Sequence, residues 1–368
     1  MTHVLVAQVR NTKIAMAKRL IGLMSGTSLD GVDAVLVNNS ATKILSQVYL
    51  PYSQSFKEKL RKLTSGAPVY LEELARLDQQ VAQYYCEAVQ KLLTMSECSA
   101  EEVLAIGSHG QTVFHHGGQY SMQIGNGALI AEKTGISVVC DFRMSDIAAQ
   151  GQGAPLTPKY HQYLLQNKSA IVVNLGGIAN LTQIEDNQVL GFDTGPANTL
   201  LDNWIKQHKA LDYDRDGVWA RSGFVDQALL KKLLNDAYFE KKWPKSTGPE
   251  YFNLAWLESY LKGSEPPQDV QRTLVELTAV TISQYIKKGL DVYLCGGGVH
   301  NLFLLERIAY LNPNNHITTT QDLGVSADYI EAAAFAFFAK QTLESKPSNI
   351  ISVSGATKEK ILGAIYAA

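Results

Sequence analysis

Cysteine is scarce. Cys86, Cys98, Cys140 and Cys295 are the four in 368 residues, and they lie far apart with no C-x-x-C pair. That spacing excludes a disulfide framework and a zinc ribbon, and it points to a reducing compartment, the cytoplasm. Long hydrophobic runs are missing too. Windows such as 332–339 fall well short of the roughly 20 residues a membrane helix needs, so no bilayer span is expected. Residues 1–19 mix basic and apolar side chains without a long apolar stretch and a small-residue cleavage site, which argues against a secretory signal. Met16 offers an alternative start just ahead of the first strand pattern. Neither sign of charge dominates, with 33 basic and 35 acidic residues and a net charge of −2. The balance speaks against a nucleic-acid surface or an acidic tail, and it favours a small-molecule partner.

Hydrophobic residues at 46% and charged residues at 18% suit a packed globular chain. Its length exceeds what one hydrophobic core usually serves, so two domains around a cleft are expected. Strand patterns at 19–24 and 32–37 flank a turn rich in Ser, Gly, Thr and Asp. The same layout recurs at 170–174 and 181–184 around Gly176 and Gly177, with Ile171 standing 150 residues after Ile21. Two α/β domains related by duplication follow, the first spanning 1–150 with 345–368 returning to it and the second spanning 151–344. Leu74, Leu77, Val81, Tyr85, Val89 and Leu92 recur at helical spacing and predict a core-facing helix over 71–93. A second helix is predicted over 272–288, stopped by Gly289, and a third over 328–341 with Ser326 as its N-cap.

Three glycine-containing segments carry chemistry. Gly26-Thr27-Ser28-Leu29-Asp30-Gly31-Val32-Asp33 joins two strands and offers main-chain N–H groups and hydroxyls to phosphate oxygens, with a carboxylate for magnesium. The Walker lysine is absent, and a plain hairpin turn explains the segment equally well. Asp193, followed by Thr194, Gly195, Pro196, Ala197 and Asn198, reads as a second turn. Its aspartate is either a general base at a strand end or a common turn initiator. Gly296, Gly297 and Gly298 join a strand to a helix, where three glycines allow backbone to approach an adenine ring or phosphate.

This set of turns resembles the ATP site of sugar kinases, actin and the heat-shock ATPases. The run from Ile21 to Asp33 is similar, more narrowly, to the signature of the anhydro-N-acetylmuramic acid kinase family. The likeness continues through Gly107-Ser108-His109-Gly110-Gln111-Thr112, Gln123-Ile124-Gly125, Asp141-Phe142-Arg143, Gly151 to Leu156, Asn174 to Asn180, Phe192 to Pro196 and Ser246-Thr247-Gly248. The resemblance implies two duplicated actin-like (ribonuclease H-like) α/β domains with an interdomain cleft. It also implies ATP- and Mg2+-dependent conversion of 1,6-anhydro-N-acetylmuramic acid to N-acetylmuramic acid 6-phosphate in peptidoglycan recycling. Asp193 is carried over as the base that takes a proton from water, and Glu331 as a helper that orients water or sugar, unless it is only a first-turn helix charge. The nucleotide would meet residues 26–33 together with Asn174, Gly176, Gly177, Thr194, Gly195 and Gly296–Gly298, with Asp30 on magnesium. Arg143 would take the lactyl carboxylate, with an ordinary ion pair as the alternative, and His109, Gln111 and Thr112, expected on a turn, would meet sugar hydroxyls or the acetamido group.

Asp212-x-Asp214-x-Asp216-Gly217 copies half a calcium loop, but Gly223 stands where a bidentate glutamate is required. Ala197 and Gln150 stand where the family usually has glycine. A homodimer is common in that family, though no exposed apolar stripe in the sequence demands one. The rival readings are a kinase of the same fold acting on another sugar, and a non-enzymatic ATP-switched binding protein.

Overall fold

A computed structural model describes residues 19–26, 28–243 and 245–368. Thr27 of the first glycine segment and the alternative start Met16 lie outside the described residues. Among those described, the strands are β1 Arg19–Ser25, β2 Gly31–Asn38, β3 Ile44–Pro51, β4 Val103–His116, β5 Tyr120–Ile124, β6 Val138–Cys140, β7 Ala170–Leu175, β8 Ile178–Glu185, β9 Gln188–Pro196, β10 Asp291–Cys295, β11 Ile317–Thr319 and β12 Ala364–Tyr366. The chain divides into two compact units, residues up to Tyr160 joined by Tyr329–Ala368, and His161–Asp328.

In the first unit the strand order is β12-β6-β4-β1-β2-β3, with β5 paired to β4. β1, β2 and β3 form an antiparallel meander, while β4 runs parallel to β1 and β6 parallel to β4. The second unit orders its strands β11-β10-β7-β8-β9 and repeats the pattern, an antiparallel β7-β8-β9 meander with β10 and β11 added in parallel. Strand for strand, β3-β2-β1-β4-β6 matches β9-β8-β7-β10-β11. The duplicated actin-like α/β architecture is therefore present in both units. The central strands read as unbroken apolar runs because helices cover sheet faces, and β1 and β7 are buried almost throughout.

The predicted core-facing helix spans Leu71–Met95. Leu77, Val81, Tyr85, Val89 and Leu92 are at most 2% exposed, each burial contributing about 1.5–3 kcal/mol. The other two helices differ from their predicted limits. One is Pro267–Ser283, capped at Gln284 rather than at Gly289, and the other is Ile330–Leu343, beginning after Tyr329 rather than Ser326. The latter is buried on nearly every side, as its run of alanine and phenylalanine demands. It lies so close to β1 and β4 that a Cβ on Gly22 would collide with the Ala332 carbonyl, and one on Gly107 with the Phe335 carbonyl. The helix thus belongs to the first unit, whereas the limits drawn on the sequence placed it in the second. The 349–357 segment and β12 also return to the first unit, where β12 pairs with β6.

Candidate active site

In the second unit the register sets three polar residues in a row, Asn174 on β7 opposite Asn180 on β8, itself opposite Asp193 on β9. Directly paired residues share one face of the sheet. The sequence expectation of a turn at Asp193 is corrected here, since the segment is strand with one extra residue, Thr194, bulged between the Asp193 and Gly195 pairings. Bulges re-aim side chains at sheet ends and are common beside active sites. Thr194 is buried, and its hydroxyl donates to the Ala179 carbonyl at 3.2 Å.

Asp193 is held by the 245–247 segment. Its N–H donates to the Lys245 carbonyl at 3.1 Å, and its Oδ2 accepts from the Thr247 N–H at 3.0 Å. Tyr238 Oη donates to its carbonyl at 2.7 Å. Burial pushes the carboxyl up to about 6, and Glu250 adds to the rise. The Thr247 N–H, the Ser246 hydroxyl and the Lys245 ammonium only partly offset this. Tyr238 is itself fixed by Asp236, which accepts from its N–H at 2.8 Å and from Tyr251 Oη, Trp256 Nε1 and Tyr260 Oη at 2.8–2.9 Å.

The glycine turns of this unit converge. The Gly176 carbonyl accepts from the Asn198 N–H, and the Gly177 carbonyl from Ala197 and Thr199, all at 3.0 Å. The helix Asn198–Lys209 therefore begins with its first donors already engaged. Ala197, at φ −127° and ψ −109°, keeps a negative φ but lies outside the broad β and α regions, a backbone setting easier for the glycine that the family usually has there. Gly296, at φ 82°, faces Asn174 and the Leu175 carbonyl, and Gly298 faces Leu175 and Asn198. A Cβ on Gly297 would meet nothing within 4 Å.

In the first unit, Gly26, Ser28, Leu29 and Asp30 form the loop between β1 and β2, while Gly31, Val32 and Asp33 already lie in β2. Leu29 anchors the loop by burying its side chain, which offsets a left-handed φ of 58° that costs a non-glycine residue roughly 1–2 kcal/mol. Gln111 braces the same loop. Its Oε1 accepts from the Ser25 hydroxyl at 2.6 Å, and its Nε2 donates to the Gly26 carbonyl at 3.1 Å. Asp30 is exposed, with Lys57 Nζ 3.4 Å away. Among the described residues no group of three or more His, Cys, Asp or Glu side chains forms a metal site. One exposed carboxylate suits magnesium held mainly by phosphate and water oxygens, and not a dedicated protein cage.

His109, Gln111 and Thr112 sit within β4 rather than on a turn. The punctuation at Gly110, φ 76°, is a bulge, where the register passes from Leu23–Ser108 to Ser25–Gln111. Thr112 accepts from Gln123 Nε2 at 3.2 Å. His109 Nε2 receives Arg143 Nη2 at 2.9 Å and Nε at 3.3 Å, and its ring packs on Phe335. Burial and the guanidinium hold the imidazole well below its ordinary value, so it is neutral and accepts through Nε2. Arg143 Nη1 donates to the Gly153 carbonyl at 2.8 Å. His109 and Gly153 thus fix the guanidinium, whose planar fork is the shape that a carboxylate takes as a bidentate pair. Burial lowers Arg143 to about 10 against the pull of Glu331, and burial raises Glu331 against the pull of Arg143. His109, Arg143 and Glu331 are thus one electrostatic group. His109 also lines a cavity of about 350 Å3 with Ser121, Gln123, Asp141 and Met144.

The sequence profile of the anhydro-N-acetylmuramic acid kinase family matches residues 18–368. This chain belongs to that family. Proteins named anhydro-N-acetylmuramic acid kinase resemble it along nearly their whole length. The one from Nitrosomonas europaea is 45% identical over 360 residues, covering 95% of this chain and 99% of the relative. The one from Pasteurella multocida is 45% identical over 361 residues, covering 94% and 96%, and that from Aliivibrio fischeri is 43% identical over 365 residues, covering 95% and 100%. As a member of the anhydro-N-acetylmuramic acid kinase family the chain is an ATP-dependent phosphotransferase.

Several residues around Asp193 and Arg143 carry little signal in the sequence. Ser246 and Thr247 stand out in the sequence only as part of a motif, and nothing there marks Lys245 as the partner of Asp193. Tyr238 and Asp236 carry no signal at all, being ordinary residues in an aromatic stretch. Asp146, three residues beyond Arg143, carries no local signal either.

Proposed function

We propose that the chain converts 1,6-anhydro-N-acetylmuramic acid to N-acetylmuramic acid 6-phosphate, with ATP as phosphoryl donor and water opening the anhydro bridge. The observation that carries this reading is the setting of Asp193, a partly buried carboxylate raised to about 6 and fixed at its main chain and its Oδ2. A base near neutrality removes a proton from water far better than an ordinary carboxylate. Asp193 takes that proton as the water oxygen bonds to C1. The C1–O6 bond breaks, O6 takes the γ-phosphoryl group, and ADP leaves.

Arg143, a guanidinium held by His109 and the Gly153 carbonyl, binds the lactyl carboxylate. Glu331 orients the sugar or the water beside it, and the cavity at His109 supports the fit of a hydroxyl-rich ring. The glycine turns at Gly176–Gly177 and Gly296–Gly298 bring backbone close to the nucleotide. Magnesium offsets phosphate charge when it binds with ATP, and Asp30 would hold it together with phosphate and water. Peptidoglycan recycling in the cytoplasm is the setting we propose, in keeping with four free cysteines.

The test is an ADP-release assay with magnesium-ATP and the anhydrosugar, beside N-acetylmuramic acid, N-acetylglucosamine and glucose, with the product weighed by mass spectrometry. A product heavier than the anhydrosugar by one phosphate and one water is expected. Phosphate gained without water, or turnover of open sugars only, would reduce the chain to an ordinary sugar kinase. Slow ATP hydrolysis indifferent to every sugar would favour a binding protein instead.

A further inference from the structure

The loop that follows Arg143 is organised by a carboxylate that the proposed reaction does not use. Asp146 is completely buried. Its Oδ2 accepts from the Gly153 N–H at 2.9 Å, while its Oδ1 accepts from Asn349 Nδ2 at 2.8 Å and from the Ser354 hydroxyl at 2.7 Å. Gly153, whose N–H is thus fixed, turns its carbonyl to Arg143 Nη1. The loop is tied to the same distant segment by its backbone as well, since the Gln152 N–H donates to the Ser354 carbonyl at 2.7 Å and the Thr357 N–H to the Ala149 carbonyl at 2.8 Å.

An isolated carboxylate in this setting would be strongly unfavourable, and three good donors make it tolerable. What it gains for the molecule is direction. Arg143 has two anchors, His109 Nε2 on one edge and the Gly153 carbonyl on the other, and the second is only as rigid as the peptide that bears it. We infer that Asp146, together with Asn349 and Ser354, is a positioning residue that sets the direction of the Arg143 guanidinium through Gly153. The 349–357 segment, some 200 residues away in sequence, thereby governs how the sugar's carboxylate is received. The inference rests on the reading that Arg143 binds that carboxylate.

Asp146→Asn is an informative substitution because the amide cannot serve both sides. An oxygen turned to Gly153 leaves an NH2 facing two donors, and the reverse leaves Gly153 without its acceptor. The experiment is a double-mutant cycle on the anhydrosugar with Asp146→Asn and Arg143→Lys, and a second cycle with Ser354→Ala as the milder cut should Asp146→Asn not fold. Asp146→Asn is expected to raise KM about 10-fold with kcat within about twofold, and Ser354→Ala to raise it about threefold. Neither is expected to add more than about twofold once Arg143 is lysine. Penalties that multiply in the Arg143→Lys background, or that fall on kcat alone, would overturn the inference. The underlying reading is judged separately, with 1,6-anhydro-N-acetylglucosamine, which lacks the lactyl group, as a competitive inhibitor. Its inhibition constant should be unchanged by Arg143→Lys, and a loss equal to that for the acidic sugar would remove the carboxylate assignment while the cycle still decides whether Asp146 acts through Arg143.

Discussion

Replacing Asp193 with asparagine should slow turnover steeply and stabilise the protein. The carboxyl lies at about 6 in the folded chain, against about 3.9 when unfolded. A group whose folded value is raised favours folding when protonated, so its contribution is most favourable below about pH 4 and is lost as pH rises through about 6. Two pH units correspond to about 3 kcal/mol at most, and solvent reaching a partly exposed carboxylate brings that to about 1–2 kcal/mol. Asparagine keeps an oxygen for the Thr247 N–H and carries no charge to desolvate. Its melting temperature should therefore exceed that of the wild type by roughly 2–8 °C at about pH 8, the gap closing toward about pH 4. Loss of the base should lower kcat by about 10²–10⁴-fold. Thermal melts of both proteins across that pH range, without ligands, give the answer. A variant no more stable than wild type at the higher pH, or a gap that does not change with pH, would refute the account of how burial shifts this carboxyl. The pH profile of wild-type kcat should independently rise to a plateau through about 6.

The glycine triplet separates structure from ligand approach. Gly298→Ala forces a Cβ against Leu175 and should lower the melting temperature, whereas Gly297→Ala meets open space and should raise only the KM for ATP, about 10-fold; an unchanged KM would end the backbone-approach reading. Tyr238→Phe removes the bond to the Asp193 carbonyl, and kcat should fall about three- to tenfold at constant KM for ATP, as measured by steady-state kinetics. Gly107→Ala drives a methyl group into the Phe335 carbonyl and should cost about 1–3 kcal/mol in urea denaturation, with no selective effect on either substrate.

Local pattern made much of this architecture legible. The β1 and β7 runs, the stripe from Leu77 to Leu92 and the repeated strand-glycine-strand layout all follow from short-range periodicity, and each is present. Ile330–Leu343 shows the limit of that approach, because a helix apolar on every side announces burial without naming the sheet that buries it. What decides is the pair Gly22 and Gly107, which look like strand weaknesses until a helix backbone rests on them. Glycine punctuation makes His109 and Asp193 read as turn residues, yet in both cases the glycine adjoins a bulge inside a strand. Asp146 was illegible for a different reason. Its partners Asn349 and Ser354 lie far along the chain, and no local signal announces a contact closed over that distance.

The division of the chain also has a consequence for how it is made. The second unit is one uninterrupted stretch, His161–Asp328, and possesses all five strands of its sheet as soon as it leaves the ribosome. The first unit is not so placed, since it needs residues 329–368 to cover β1 and β4 and to pair with β6. At roughly 5–20 residues per second, the 208 residues that follow Tyr160 take roughly 10–40 s to synthesise. For that interval the Gly22–Gly107 face of the nascent sheet lacks its helix, an apolar surface suited to chaperone capture, and the part of the protein translated first is the last to be completed.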